Sequence, residues 1–291
     1  MGLELEISLL ARLRFVTRRR RRGGAWGERR STRRGSGLEF ADYRDYTPGD
    51  DPRRVDWNLY ARLDRPYVRL YDEEEDLAVS VLLDGSASMV WGEASAARWA
   101  AALQIAAALG AVALLSGDPL CSALLVGDSA AAWGPFRGRG VLPQWRSWLE
   151  DLAPGGNVAL GPVLADFARI PSRPGLALLV TDGYDVAGLS EGLSALAGRG
   201  HEVVLLHLLT PEELNPVLRG DLRLIDSESG ERRDVTVDRA TLAAYHWQLA
   251  AWQSELRALV GKHGGRYVLL RTDIPVRKMM LGALRRAAIL R

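Results

Sequence analysis

Residues 77–88 have the sequence Leu-Ala-Val-Ser-Val-Leu-Leu-Asp-Gly-Ser-Ala-Ser, an apolar run that ends in a carboxylate and two hydroxyls. The run Leu77–Leu83 is typical of a parallel strand that is buried on both faces. Open α/β sheets bind their ligands at the carboxyl ends of such strands. Asp84, Ser86 and Ser88 offer three oxygen ligands at alternating positions, which suits Mg²⁺ or Mn²⁺. The alternative is an ordinary turn, since Asp, Gly and Ser are common turn formers.

After Leu77 the pattern alternates strands with helices, which predicts an α/β fold with a doubly wound, mostly parallel sheet of the Rossmann type. The predicted strands are Leu77–Leu83, Ser122–Val126, Leu176–Thr181, Val203–Leu209 and Tyr267–Arg271. The predicted helices are Ala94–Leu115, Pro143–Leu152, Val158–Ala168, Leu189–Ala197 and Val276–Leu290. Residues 210–265 interrupt this alternation with a polar stretch and a long amphipathic helix, Arg239–His263. They are predicted to form an insertion before the last strand.

Two further loops are predicted to contribute to the same site. The apolar run Leu176–Val180 is followed by Thr181 and Asp182, so this second carboxylate would reach the edge that holds Asp84 if the two strands are neighbours. There Asp182 would bind the metal or hold a metal-bound water. Its alternative role is to cap the following helix. The loop at Asn157 also precedes a predicted helix and offers a third oxygen-bearing side chain.

The first 75 residues are predicted to be an N-terminal extension, followed by the α/β domain over residues 76–291. The extension combines a short helix, Leu3–Arg14, a basic arm with five consecutive arginines at Arg18–Arg22, and a segment rich in Arg and Asp. The arm is interpreted as a solvated segment, because no aromatic stacking pattern accompanies its charge. The alternative is an electrostatic patch for nucleic acid or an anionic membrane.

Composition is that of an ordinary soluble globular protein, with 47% hydrophobic and 25% charged residues and a net charge of +2. The chain has one cysteine, Cys121. No internal disulfide can form, and a reducing cytoplasm is therefore the expected location. No signal peptide is recognised. The apolar stretch Trp99–Leu115 lies between two predicted strands, so it is predicted to be a buried helix and not a membrane span.

Asp84, Ser86, Ser88, Asn157 and Asp182 together resemble the metal-ion-dependent adhesion site of the von Willebrand factor A domain. In that family the site consists of an Asp-Xaa-Ser-Xaa-Ser motif, a Thr on a second loop and an Asp on a third. The Thr position corresponds here to Asn157, which is a departure from the family pattern. The resemblance implies a von Willebrand factor A-like fold, a bound Mg²⁺ or Mn²⁺, and a protein partner that donates a carboxylate to the metal.

A second set of motifs narrows the resemblance. Arg44-Asp-Tyr-Thr-Pro-Gly-Asp-Asp-Pro-Arg53, Leu209-Thr-Pro-Glu-Glu213 and Asp226-Ser-Glu-Ser-Gly230 look like the signature of a bacterial A-domain family catalogued as domain of unknown function fifty-eight. This resemblance implies a MoxR-type AAA+ ATPase as the partner. The alternating Arg and Asp residues of the first motif are interpreted as a salt-bridged scaffold, with Trp57 as a packing anchor. The alternative is a recognition surface for carboxylates or phosphates.

Catalytic motifs are not apparent in the sequence. It contains no P-loop, dinucleotide fingerprint, zinc-ligand spacing or nucleophile elbow. His207 lies in an apolar strand and is predicted to be a core residue. The leading hypothesis is a non-enzymatic, Mg²⁺-dependent protein-interaction module that works as an adaptor or assembly factor. The alternatives are a metal-dependent phosphoester hydrolase, motivated by Asp84 and Asp182 around one cation, and an anionic-surface binder using the N-terminal arginines.

Overall fold

A computed structural model describes residues 6–18, 39–72, 77–90, 95–170, 173–225 and 231–291. The chain divides into two compact units, one comprising Met1–Val16 and Leu77–Arg291 and the other comprising Thr17–Asp76. The boundary between Asp76 and Leu77 lies one residue after the predicted boundary between residues 75 and 76. The first sixteen residues, which were predicted to be part of the N-terminal extension, group with the larger unit. Of the arginine run, only Arg18 is among the described residues, and Asp226–Gly230 lies outside them.

The smaller unit contains an antiparallel strand pair, β1 (Glu39–Asp45) and β2 (Tyr67–Asp72), and helix α2 (Trp57–Leu63). Asp56 caps this helix by accepting hydrogen bonds from the first backbone amides. Trp57, the first residue of the helix, is 61% exposed, so its prediction as a packing anchor is wrong. The neighbouring Asp56 is buried, and its carboxylate accepts a hydrogen bond from the Tyr43 hydroxyl.

Among the described residues of the same unit, Arg44 and Asp50 form an ion pair of the predicted Arg/Asp scaffold. Arg44 donates a hydrogen bond of 2.6 Å to Asp50, and the backbone amide of Thr47 donates to the same carboxylate. These contacts hold the pKa of Asp50 well below its usual range. The Arg44 and Asp50 side chains are 35% and 18% exposed, so the pair lies nearer the surface than a buried scaffold would.

The larger unit is built on a six-stranded sheet, which confirms the predicted α/β fold with a mostly parallel sheet. In chain order the strands are β3 (Val79–Asp84), β4 (Leu120–Val126), β5 (Ser129–Phe136), β6 (Leu176–Thr181), β7 (Glu202–Leu209) and, after a hairpin described below, β10 (Arg266–Arg271). Their order across the sheet is β10-β7-β6-β3-β4-β5. The parallel strands are β10, β7, β6, β3 and β4, and β5 pairs antiparallel with β4 at the edge.

Helices cover both faces of this sheet. One face packs against α3 (Ser95–Leu115) and α4 (Leu142–Glu150), and the other packs against α5 (Leu160–Arg169) and α6 (Val186–Gly198). By length and composition, one stretch among the described residues, Ala97–Leu115, is apolar enough to cross a membrane, and 72% of it is buried in the protein. Core helices pass the same test, so the absence of a membrane span stays a prediction.

The insertion at residues 210–265 contains regular structure that the sequence pattern did not predict. A single-turn helix, α7 (Pro211–Leu214), leads to an antiparallel hairpin of β8 (Gly220–Ile225) and β9 (Arg232–Val237). The long predicted helix follows as α8 (Arg239–Lys262). Of its residues only Leu256 and Val260 are fully buried, so α8 rests on the body of the protein mainly through its C-terminal turns.

Both chain termini depart from the predicted helices. Within the described residues the N-terminal helix is limited to α1 (Ile7–Leu10). After it the chain is extended, and Phe15 pairs with Leu290 in an antiparallel bridge. The C-terminal helix starts as α9 (Val276–Lys278) and becomes a π-helix over Met279–Leu284. It ends before the predicted Leu290, because that residue is needed in an extended conformation for the bridge to Phe15.

Candidate metal centre

The predicted Asp-Xaa-Ser-Xaa-Ser site lies at the carboxyl end of β3. Asp84, the last residue of that strand, is 1% exposed and accepts a hydrogen bond of 2.9 Å from the backbone amide of Ser86. This contact turns the chain so that Ser86 and Ser88 follow on the same side. Their Oγ atoms are 2.9 Å apart, and both side chains are buried. The structure thus brings the three predicted oxygen ligands together.

Asp182 comes to the same place because its strand, β6, is the direct neighbour of β3 in the sheet. It follows the last residue of β6, Thr181, whose hydroxyl donates a hydrogen bond of 2.6 Å to the Asp84 carboxylate. The Ser88 side chain forms a hydrogen bond with Asp182. Asp182 is also 1% exposed. The two buried carboxylates are therefore linked through neutral hydroxyl groups.

Asn157 is held at this site by the backbone of its own loop. Gly155 donates its amide to the Gly85 carbonyl at 2.8 Å, and the Gly156 carbonyl accepts from the Ala87 amide at 2.9 Å. These two bonds fasten the loop to the turn after β3. Asn157 itself is exposed, and it lines the same cleft as the other predicted ligands.

The cleft formed by these loops has a volume of about 330 Å³. It is lined by the five predicted ligands and by Val158, Leu160, Tyr184 and Asp185. The lining includes the carboxylates of Asp84, Asp182 and Asp185, which favour a positively charged ligand.

Burial and mutual repulsion perturb the two carboxylates. Burial raises the pKa of Asp84, although hydrogen bonds from Thr181 and Ser86 oppose this effect. Burial and the charge of Asp84 raise the pKa of Asp182 to about 6, against the hydrogen bond from Ser88 and the charge of Arg98. Raised carboxylate pKa values mean that the site favours a bound proton or another cation.

Arg98 is the important residue that the sequence analysis missed. It lies in the first turns of α3, is 6% exposed, and donates a hydrogen bond of 3.0 Å to Asp182 and one of 2.8 Å to the Ser88 carbonyl. Its other terminal nitrogen pairs with Glu213. A signal for it existed, because an arginine at the start of an almost wholly apolar helix needs a buried partner.

Glu213 brings the insertion into contact with the site. It forms a capping box with Thr210 at the start of α7, and it accepts a hydrogen bond of 2.8 Å from the Tyr184 hydroxyl. The charge of Arg98 and the hydrogen bonds keep the pKa of Glu213 below its usual value, although burial opposes them. Glu213 is the last residue of the Leu-Xaa-Pro-Xaa-Glu motif, so that motif was the signal in the sequence.

The donor set fits a hard divalent cation. The two serine Oγ atoms lie 2.9 Å apart, which is close to the distance of about 3.0 Å between adjacent ligands of an octahedron with Mg–O bonds of about 2.1 Å. Within the described residues, no group of three or more His, Cys, Asp or Glu side chains is arranged to hold a metal. A cation here would therefore be bound by Asp84, Ser86, Ser88, Asn157 and Asp182, with hydroxyl and amide oxygens as well as carboxylates.

Comparisons with known proteins show which family this chain belongs to. Uncharacterized protein Rv1480 of Mycobacterium tuberculosis is 31% identical over 243 residues, which is 82% of this chain and 76% of that protein. Uncharacterized protein Mb1516 of Mycobacterium bovis matches to the same extent.

Among solved structures, the conserved hypothetical protein BatB from Bacteroides thetaiotaomicron has a TM-score of 0.44 and 17% identity, covering 73% of this chain and 98% of its own. An aerotolerance-related membrane protein from Bacteroides fragilis also has a TM-score of 0.44, with 17% identity over 72% of this chain and 98% of that one. Residues 42–255 match the model of the family described as protein of unknown function DUF58. This protein therefore belongs to the DUF58 family.

Proposed function

We propose that this protein is a non-enzymatic interaction module that binds a carboxylate of a partner protein through Mg²⁺ or Mn²⁺. The observation that supports the proposal is that the side chains of one cleft at the carboxyl edge of the sheet include Asp84, Ser86, Ser88 and Asp182. Asn157 stands at the open side of the same cleft. In this proposal the α/β unit is a von Willebrand factor A-like domain, and the cleft is its adhesion site.

The balance of charge supports a divalent cation. Among the described residues, Arg98 pairs with two carboxylates, Asp182 and Glu213, and a third carboxylate, Asp84, lies close enough to Asp182 to raise its pKa. When all are ionised, this buried group carries a net charge of −2, which is costly in a medium of low dielectric constant. A divalent cation would neutralise it. Since Ser86, Ser88 and Asn157 are neutral ligands with which an Mg²⁺ ion would keep some water positions, a further carboxylate from outside could take one of those positions.

The lining of the cleft supports binding more than catalysis. The described residues that line it include no His, Lys or Cys. His207 lies in the neighbouring strand β7, but it is fully buried, and burial lowers its pKa to about 4. Its Nδ1 atom lies 2.7 Å from the Tyr267 hydroxyl. A phosphoester hydrolase would need a base positioned to activate water, and this histidine has no access to the cleft.

The partner is proposed from the family resemblance. A MoxR-type AAA+ ATPase with a surface Asp or Glu would occupy the open position on the metal, and this protein would serve as its adaptor or assembly factor in the cytoplasm. Nucleic-acid binding is not part of the proposal.

Titration calorimetry with Mg²⁺ and with Mn²⁺ tests the metal site. Wild-type protein should bind one divalent ion, and Asp84→Ala should not. The matched control is Asp166→Ala, which removes a 59% exposed carboxylate of α5 and should leave binding intact. Equal binding by wild type and Asp84→Ala would contradict the proposal.

Capture of the MoxR-type ATPase tests the partner. The complex should form with Mg²⁺, disappear with a chelator, and be absent with Asp84→Ala. Turnover of a phosphoester panel that depends on Mg²⁺ and on Asp84 would favour the hydrolase instead.

A further inference from the structure

A fixed aromatic ring stands beside the proposed metal. Tyr184 lines the cleft two residues after Asp182, and its side chain is 53% exposed. One face of its ring stacks on Trp252 of α8, with a centroid separation of 5.2 Å and an interplanar angle of 10°. Its hydroxyl donates to Glu213. The stacking contact and the hydrogen bond therefore fix the orientation of the ring, and the face turned away from Trp252 is available to a ligand.

The Tyr184 side chain is not one of the proposed metal ligands. Its hydroxyl donates to the carboxylate of Glu213, which is not one of these ligands either. A rigid ring that is exposed on one face and backed by a second aromatic is a typical contact for a planar or cationic group. The Tyr184 ring is therefore a candidate contact for the partner residue that neighbours the metal-bound Asp or Glu.

The carboxylate of Asp185, next to this ring, favours a positive charge on the partner residue that neighbours the metal-bound carboxylate. Asp185 lines the cleft and is exposed, and one of its oxygens caps α6 by accepting from the Gly188 amide at 2.8 Å. Since it lines the same cleft as Asp84, its negative charge lies at the metal site as well. Among the described residues, the lining contains three aspartates and no Lys or Arg. With a divalent cation balancing the buried carboxylates, Asp185 would remain a negative charge without a counter-ion in this part of the lining.

We infer that the partner segment carries an Arg or Lys directly beside its metal-binding Asp or Glu, and that this cation stacks on Tyr184 and pairs with Asp185. The inference rests on the proposed function and adds a second point of recognition to it. Arg is favoured over Lys, because its planar guanidinium stacks on an aromatic face while still donating to a carboxylate. An aromatic or apolar neighbour would leave Asp185 unpaired, and an acidic one would be repelled by it.

A peptide array tests this inference with the full-length protein. The probes are immobilised hexapeptides with a central Glu, flanked on either side by Arg, Lys, Gln, Glu or Phe, and a parallel set has Gln at the centre. Wild-type protein in Mg²⁺ should bind only the set with a central Glu. Within it, the peptides flanked by Arg should bind about two- to fivefold more tightly than those flanked by Gln. The preference should weaken with added salt.

Three variants separate the two points of recognition. Tyr184→Leu removes the ring, Tyr184→Phe keeps it, and Asp185→Asn removes the charge while preserving the helix cap. Tyr184→Leu and Asp185→Asn should each reduce the preference for Arg, whereas Tyr184→Phe should retain it. Trp247→Leu is the matched control, since that side chain is 70% exposed on α8 and does not line the cleft. Thermal unfolding of each variant verifies that it is folded.

The outcomes distinguish failure of this inference from failure of the proposed function. Binding that requires Mg²⁺ and the central Glu but shows no preference among flanking residues would overturn the inference alone. So would a preference for Arg that persists in both Tyr184→Leu and Asp185→Asn. Binding that ignores the central Glu or Mg²⁺, or no binding to any probe, would overturn the metal bridge and the inference with it.

Discussion

Replacing Arg98 by Met is expected to destabilise the protein by about 3–5 kcal/mol near about pH 8. The guanidinium is 6% exposed and contacts Asp182, Glu213 and the Ser88 carbonyl. Met has a similar length and fills the same space without charge or hydrogen-bond donors. The substitution therefore leaves two carboxylates and one carbonyl without their partner, and nearly all of the expected loss comes from these unpaired groups.

Protonation of Asp182 should limit this loss at acidic pH. With Arg98 present, burial and the charge of Asp84 already raise the pKa of Asp182 to about 6. Removing the guanidinium raises it further, so the variant takes up a proton at a higher pH than wild type. A folded state that binds the extra proton gains stability as the pH falls. The destabilisation should therefore shrink by about 1–3 kcal/mol between about pH 8 and about pH 5.

Urea unfolding at both pH values measures these quantities. The matched control is Arg146→Met, which removes an exposed ion pair with Glu150 and should cost less than about 1 kcal/mol. The double variant Arg98→Met/Asp182→Asn should regain part of the lost stability, because the unpaired charge is gone. If Arg98→Met costs no more than the control at about pH 8, or costs the same at both pH values, the reasoning is refuted.

Three further predictions address the metal, a buried histidine and the core. Mg²⁺ at about 100 times its dissociation constant should raise the free energy of unfolding by about 2.7 kcal/mol; an equal rise in Asp84→Ala, measured by urea unfolding, would count against the site. Burial lowers the pKa of His207 to about 4, so the folded state resists protonation. The contribution of this histidine to stability should therefore fall by about 3 kcal/mol from about pH 7 to about pH 4, so the free energy of unfolding of wild type should decline relative to that of His207→Gln by about that amount; parallel pH curves would contradict this. Gly110→Ala would place a Cβ 2.5 Å from the Trp145 ring and should lower the thermal midpoint through a loss of about 1–3 kcal/mol. Gly261→Ala on α8, where a Cβ meets nothing within 4 Å, should raise it, and equal shifts in the two variants would refute the packing argument.

The five predicted strands are all present within about two residues of their expected ends. Runs such as Leu176–Thr181 are buried on both faces, so every residue must be apolar or small, and the pattern is visible in the sequence. Strand β5 was missed because it lies at the edge and is largely exposed, with a run of alanines that shows no alternation. The hairpin β8–β9 was missed for the same reason, since most of its side chains face solvent.

The ends of the chain show a different limit. The C-terminal segment has helical periodicity, but the helix changes to a π-helix at Met279, and Ala288 adopts a positive φ of 53°. Beyond this point the chain is extended, and Leu290 forms a bridge with Phe15, a residue near the opposite end of the chain. Local periodicity carries no information about a partner so distant in sequence.

The sequence alone predicts that Asp84 and Asp182 lie at one edge of the sheet if their strands are neighbours, because residues that follow neighbouring parallel strands meet there. The tertiary structure decides that β3 and β6 are adjacent, and it brings Asn157, which lies between two helices, to the same cleft. Packing in three dimensions determines the groups that support them. Arg98 reaches Asp182 across 84 residues and Glu213 across 115. Such ion pairs depend on how α3 and the insertion pack around the sheet edge, and charged side chains do not show in the sequence which opposite charge they will contact once they are buried.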